Sequence, residues 1–134
     1  MSNKELTYVN GSEELRNNIM TNVDKLIIFM FTASWCGPCK KIKHHITTNN
    51  TTLYDNMKLL CIDVDDNDEL CNQFSVESMP TFIFNVVDSK GDLRKLQTFS
   101  GADSGMFDSM VKEYSVYINA DPSIVDKYLA SLRK

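Results

Sequence analysis

Cys36 and Cys39 are separated by Gly37 and Pro38 in the stretch FTASWCGPCKK, Phe31 to Lys41. That spacing suits three kinds of chemistry: half of a zinc site, a structural disulfide, or a dithiol that cycles to a disulfide and back. A structural zinc site takes four Cys or His ligands, usually as two close pairs. Here the second pair is missing. Cys61 and Cys71 fall on different predicted elements, and the adjacent His44 and His45 cannot share one face of a helix. No metal is therefore expected. The redox reading has a direct physical basis, because the thiolate is the attacking species and a helix N-terminus sets unpaired N–H groups and a positive dipole end beside it. Cys36 is the candidate nucleophile, and Cys39, one helical turn further in, is placed to attack the mixed disulfide that Cys36 forms. Lys40 and Lys41 add positive charge nearby, but exposed lysines contribute little, and a solvated helix face accounts for them as well.

The elements that position this pair can be read from periodicity. LIIFMF, Leu26 to Phe31, is apolar at every position, as befits a strand covered on both faces, and it ends just before the cysteines. From Pro38 onward, KKIKHHI reads as a helix whose first turn tolerates proline, since the missing N–H would be unpaired there anyway. TTNNTT, Thr47 to Thr52, is a poor helix former, so the helix should weaken or end there, in a solvated loop. Before this unit stand a short strand, Leu6 to Val9, and a helix capped by Ser12 with Leu15, Ile19 and Val23 on its apolar stripe. After it come a buried strand, Lys58 to Val64, and a short helix, Asn67 to Phe74. Thr81 to Val87 and Leu93 to Phe99, joined across DSKG, form an antiparallel hairpin. Asp103 or Ser104 caps a helix with Met106, Phe107, Met110, Val111, Tyr114 and Tyr117 on one stripe. Asn119 to Pro122 restarts the chain into a last amphipathic helix carrying Val125, Tyr128, Leu129 and Leu132.

The whole chain narrows the function classes. Its 134 residues suit one domain, and 43% hydrophobic with 24% charged residues is an ordinary globular composition. A net charge of −4 without a basic run argues against nucleic acid as the main ligand. LIIFMF is far short of the ~20 residues that span a bilayer, so no membrane partner is expected. MSNKELTYVNG has neither the apolar core nor the cleavage site of a secretory signal, so a cytoplasmic location is expected. In that reducing compartment a pair of close cysteines is catalytic or metal-binding rather than structural.

WCGPC at Trp35 to Cys39, preceded by an apolar strand and followed by KKIK, resembles the active-site motif of the thioredoxin family. Met79-Pro80-Thr81 ahead of a strand resembles the family's cis-proline segment, CIDVDDND (Cys61 to Asp68) its third strand and turn, and FSGA (Phe99 to Ala102) its last strand and glycine loop. The resemblance runs from Leu6 to Tyr117 in the family's order. It implies an α/β thioredoxin fold, a central mixed β-sheet flanked by α-helices, here with one extra C-terminal helix: a thioredoxin-like domain at 1–118 and an additional helix at 119–134. It also implies a protein-disulfide reductase cycling between the Cys36/Cys39 dithiol and disulfide, with no bound cofactor. Its partners would be protein disulfides and a thioredoxin reductase-type electron donor, and it would act as a monomer. Client cysteines would approach a groove made by Trp35, Met79, Pro80, Gly101 and Ala102. Gly37 and Pro38 supply no charge to stabilise the thiolate, which makes the disulfide less oxidising and points to a reductant.

The chain departs from the family pattern at Met30, five residues ahead of Trp35, where thioredoxins usually carry a buried aspartate. Such an acid helps move the proton of the resolving thiol, and a positioned acid or base is worth ~10² to 10⁴ in rate. Its absence also removes a buried charge that disfavours a thiolate. Cys61 stands near where bacterial members have a lysine beside that acid, and His44 where many have a helix-kinking proline. Cys61 is read as a small core residue, Cys71 as a helix residue, and His44 as an exposed one. Two alternatives to the reductase stand beside it: a binding or chaperone module on the same fold with weak turnover, and an electron donor dedicated to one client enzyme.

Overall fold

The run from Leu26 to Phe31 behaves as its composition requires. In a computed structural model that describes residues 6–49, 51–116, 118 and 122–131, with the backbone alone at 122–125 and 128, it forms the middle of a five-stranded sheet. The strands are β1 (Thr7–Tyr8), β2 (Leu26–Thr32), β3 (Met57–Asp63), β4 (Thr81–Val87) and β5 (Leu93–Ser100), and the helices α1 (Gly11–Met20), α2 (Gly37–Thr48), α3 (Asp68–Gln73), α4 (Ser104–Ser115) and α5 (Pro122–Ser131). The sheet order is β1-β3-β2-β4-β5. β1 and β2 run parallel to β3, while β4 is antiparallel to both β2 and β5. This is the expected mixed sheet, with the extra helix at its C-terminal side.

Every residue of β2 is buried, and its alternation divides the core into two layers. Leu26, Ile28 and Met30 face a cluster that contains Cys36, Cys39, Ile42 and Ile46 of α2, Phe82 and Phe84 of β4, and Phe107, Val111 and Tyr114 of α4. Ile27, Phe29 and Phe31 face the other way, against Leu15 of α1, Leu60 and Ile62 of β3 and Leu70 of α3. Leu129 of α5 is buried in the first layer, and Ser89 in the β4–β5 turn donates to Asp126 Oδ2 at 2.7 Å, so the added helix is fastened to the hairpin.

Some ends differ from expectation for identifiable reasons. α1 begins at Gly11 rather than behind a Ser12 cap: Gly11 takes a φ of +84°, its N–H donates to the buried Asn67 side chain at 2.8 Å, and the Asn10 N–H donates to Glu14 Oε1. The helix stops at Met20, leaving Val23 exposed rather than on its stripe. Thr21 and Asn22 turn their side chains back onto the carbonyls of Asn17 and Asn18, the competition that makes such residues helix enders. α2 does end within TTNNTT, with Thr47 and Thr48 bonding the carbonyls of Lys43 and His44. In α4 the cap is Asp103, whose Oδ1 accepts from the Met106 N–H at 2.9 Å; Met106 itself is exposed, and the buried stripe begins at Phe107. The expectations on Tyr117, Asn119 to Asp121 and Leu132, and on the side chains of Val125 and Tyr128, lie outside the described residues.

Candidate functional site

β2 delivers the chain from the middle of the sheet to the start of α2, and the two cysteines sit at that junction. Cys36 is the N-cap: its extended backbone (φ −86°, ψ 106°) leaves Sγ to accept the Cys39 N–H at 3.2 Å, and Pro38 occupies the first turn, where no N–H is missed. The pair is joined as a disulfide with Cα atoms 5.3 Å apart. Cys36 is 6% exposed and Cys39 is sealed at 0%, so Cys36 is the more accessible of the two. Gly37 and Pro38 are exposed, and a Cβ on Gly37 would meet open space.

Three loops surround the accessible sulfur. Trp35 is 64% exposed, yet its indole is held in place, because Nε1 donates to Asp65 Oδ2 at 2.9 Å. The Met79-Pro80 peptide is cis, and the Met79 carbonyl oxygen lies 3.9 Å from Cys36 Sγ. In the disulfide that sulfur has no proton to give; once reduced, the carbonyl is positioned as its acceptor. Gly101, at a φ of +114°, donates its N–H to the Pro80 carbonyl at 2.9 Å, so the glycine loop and the proline loop form one continuous rim. Ala102 is half-buried beside it and packs onto the first core layer. Met79 thus faces Cys36 directly, Pro80, Gly101 and Ala102 continue the rim from it, and Trp35 adjoins Cys36 along the chain.

Met30 is 0% exposed and lies on the same face of β2 as the disulfide, paired in register with Cys61 on β3 and Phe82 on β4. The floor of the site is thus a thioether where an acid was expected from the family pattern. Cys61 beneath it is fully buried, and that burial pushes its thiol up to about 12, against a small opposing pull from Lys43. Cys71 is half-buried, and its thiol is raised first by burial and then by the charges of Asp68 and Asp63. Neither is a thiolate at neutral pH, which leaves the chemistry to Cys36 and Cys39. Lys40, Lys41 and His44 point to solvent. Among the described residues no cluster of three or more His, Cys, Asp and Glu side chains is arranged to hold a metal, and no helix is long and apolar enough to cross a membrane.

Two polar arrangements escaped the sequence reading. Asp65, partner of the Trp35 indole, lies in a run of aspartates with nothing local to single it out. Asp108 on α4 accepts from the Tyr54 hydroxyl and pairs with His45 Nε2 at 2.9 Å, tying α4 to α2 and to the turn before β3. Burial and the neighbouring Asp108 carboxylate raise the Tyr54 phenol far above its usual range, so it stays a donor. Their sequence separations of 54 and 63 residues leave no signal short of the fold itself.

Comparison with known proteins agrees with this geometry. The family model described as Thioredoxin matches residues 7–114. Thioredoxin-1 of Drosophila melanogaster is 38% identical over 88 residues, covering 66% of this chain and 78% of its own length. The thioredoxin of Mus musculus is 34% identical over 110 residues, 80% of this chain and 96% of its own. Among solved structures, the germline-specific thioredoxin Deadhead of Drosophila melanogaster superposes with a TM-score of 0.70 at 32% identity, covering 81% of this chain and 98% of that one. With a dithiol pair at a helix cap, a cis-proline facing it and a sequence match along most of its length, the chain belongs to the thioredoxin family of thiol-disulfide oxidoreductases.

Proposed function

We propose that this chain reduces protein disulfides by a two-step exchange at Cys36 and Cys39. The observation that carries the reading is the setting of Cys36 Sγ. Cys36 is the less buried of the two cysteines, 6% exposed against 0%, and its sulfur already accepts the Cys39 N–H at the positive end of α2. The same N–H would stabilise a thiolate there, and the N-terminal turn of α2 adds its dipole.

In the forward step the Cys36 thiolate attacks one sulfur of the client disulfide. The client S–S bond breaks, and the leaving sulfur departs with its electron pair and takes a proton. Cys39 then gives up its proton, attacks Cys36 Sγ and displaces the second client sulfur, so that two client thiols and the Cys36–Cys39 disulfide result. Trp35, anchored by Asp65, and the joined rim of Met79, Pro80, Gly101 and Ala102 would grip an extended client segment on either side of the Cys36 sulfur. The catalytic unit is residues 1–118, with 119–134 as an added helix. It works as a cytoplasmic monomer with no bound cofactor, and its electrons come from a thioredoxin reductase-type partner. Turnover of insulin disulfides, followed by precipitation of the freed B chain, tests the reading: the wild-type chain should far outpace Cys36→Ser, and equal rates would overturn it.

One observation favours a second reading, a client-gripping module in which turnover is secondary: Met30 occupies, fully buried, the position of the usual acid. Expressing the Cys36→Ser/Cys39→Ser double variant in a thioredoxin-deficient cell separates the two. Rescue without sulfur favours the module, and loss of rescue favours the reductase.

A further inference from the structure

Thr32 is the last residue of β2, and it carries an unusual liability. It is 1% exposed, and among the described residues its Oγ1 has no hydrogen-bond partner. A buried hydroxyl left unpaired costs stability, and such exceptions in native structures call for an explanation. Strand alternation supplies one. Leu26, Ile28 and Met30 face the layer that contains the disulfide, and Thr32 continues that row one pleat closer to the start of α2. Across the sheet its register partner is Asp63, whose carboxylate is already used by the Asp65 N–H at 2.9 Å.

The two site sulfurs differ in what they lack. Cys36 Sγ has the Cys39 N–H and the Met79 carbonyl near it. For Cys39 Sγ, sealed from solvent in the same core cluster as Met30, no hydrogen-bond partner is found among the described residues. As a disulfide sulfur it needs none. As the thiol or thiolate of the reduced protein it would be a buried polar group without a partner, which is costly.

We propose that the Thr32 hydroxyl is a positioning group for Cys39, orphaned in the disulfide form and paired with the Cys39 sulfur once the dithiol is formed. In resolution the Cys39 proton passes to the departing client thiolate, while the Thr32 O–H donates to the Cys39 thiolate. The sulfur's electron pair then forms the bond to Cys36 as the Cys36–client bond breaks. Thr32 keeps its own proton throughout. The hydroxyl thereby takes up part of the task that a buried acid would perform, by holding the thiolate rather than by removing its proton.

The inference rests on the Cys36/Cys39 cycle, but its test needs no client protein and no reductase, so the two can fail separately. The chain is equilibrated with mixtures of reduced and oxidised glutathione, and the dithiol and disulfide fractions are read by acid quenching and thiol alkylation. Thr32→Val keeps the shape and removes the hydroxyl. It relieves the orphan in the disulfide form and deprives the dithiol form of its hydrogen bond, and both effects favour the disulfide. The expected shift is about tenfold in the exchange constant, which for a two-electron couple is roughly 30 mV more reducing. Thr32→Ser, which retains the hydroxyl, should stay within about threefold of wild type; Thr32→Ala should shift with valine and serves in its place if valine does not fold. A potential unchanged in the hydroxyl-free variants, or shifted equally by serine, would overturn the proposal, even if Thr32→Val altered the melting temperature.

Discussion

Met30→Asp restores to this chain the acid its family usually carries, and the structure says what that would cost. Met30 is fully buried between Cys61 and Phe82 in register, with the disulfide on its face of the sheet. Losing the buried methionine side chain costs about 2 kcal/mol, and a neutral carboxyl without a partner adds about 1–3 kcal/mol. The variant should thus be roughly 3–5 kcal/mol less stable than wild type even where its acid is protonated. Charge adds a pH-dependent part. Burial disfavours the carboxylate, so the folded-state pKa of the introduced aspartate rises above the unfolded value of about 3.9. An acid whose folded pKa is raised binds more protons folded than unfolded, so the stability gap widens as pH climbs from about 4 towards the folded pKa, by about 1.4 kcal/mol per unit. For a folded pKa above 7 the gap widens by about 2.7 kcal/mol between pH 5 and pH 7, a large share of the ~5–15 kcal/mol that keeps a typical domain folded, and a lower folded pKa stops the widening at that pH. The assay is urea unfolding of the reduced protein by far-ultraviolet circular dichroism at pH 5, 6 and 7, with Met30→Leu as a control expected to lose less than about 1.5 kcal/mol at every pH. A gap between Met30→Asp and wild type that stays constant across that range would refute the reasoning, since it would mean that the position is wet enough to carry a charge.

Three further outcomes are expected. Asp108→Ala leaves the Tyr54 hydroxyl and His45 without their shared acceptor and should cost about 1–3 kcal/mol in urea unfolding; a loss under about half a kcal/mol would remove the network from the account of how α4 is held. Asp88 in the β4–β5 turn has its carboxyl held below the usual range, chiefly by the Asp92 N–H, with further hydrogen bonds from Arg94 and the Lys90 N–H. Its contribution is therefore fully present above the unfolded pKa and lost as pH falls through the folded one, so the stability gap between wild type and Asp88→Asn should shrink below about pH 4; a gap that grows on acidification contradicts it. In the reduced, folded protein at pH 8, iodoacetamide should label Cys36 first and Cys71 slowly, and should reach Cys61 only in denaturant; mass-spectrometric detection of early Cys61 label would show that the core opens locally.

The site was legible to the extent that its chemistry lies along the chain. Trp35 to Cys39 and Met79-Pro80 are local patterns, and the fully apolar β2 announces a central strand because nothing else buries both faces of an extended segment. Periodicity failed where side chains compete with the backbone: Val23 fits the α1 stripe by spacing, but Thr21 and Asn22 end the helix before reaching it. Met106 fits the α4 stripe equally well, yet it falls in the first turn, ahead of the packing begun by Phe107. The partners of Trp35 and Tyr54, and the isolation of the Thr32 hydroxyl, depend on which distant residues the sheet order brings together, and composition has no record of that.

The Ser89–Asp126 hydrogen bond ties α5 to the β4–β5 turn, at the end of β4 remote from Pro80. Thr81 pairs with Phe31 just below the dithiol, while Val87 leads into the turn that holds α5, so the length of β4, about six steps or about 20 Å, separates the two. A surface linker or a fused partner grafted onto the exposed side of α5 would consequently leave the end of β4 beside the dithiol uncovered. The molecule comes with a handle on one pole and its reactive sulfur on the other, an orientation suited to a fixed sensor or a tethered reductant.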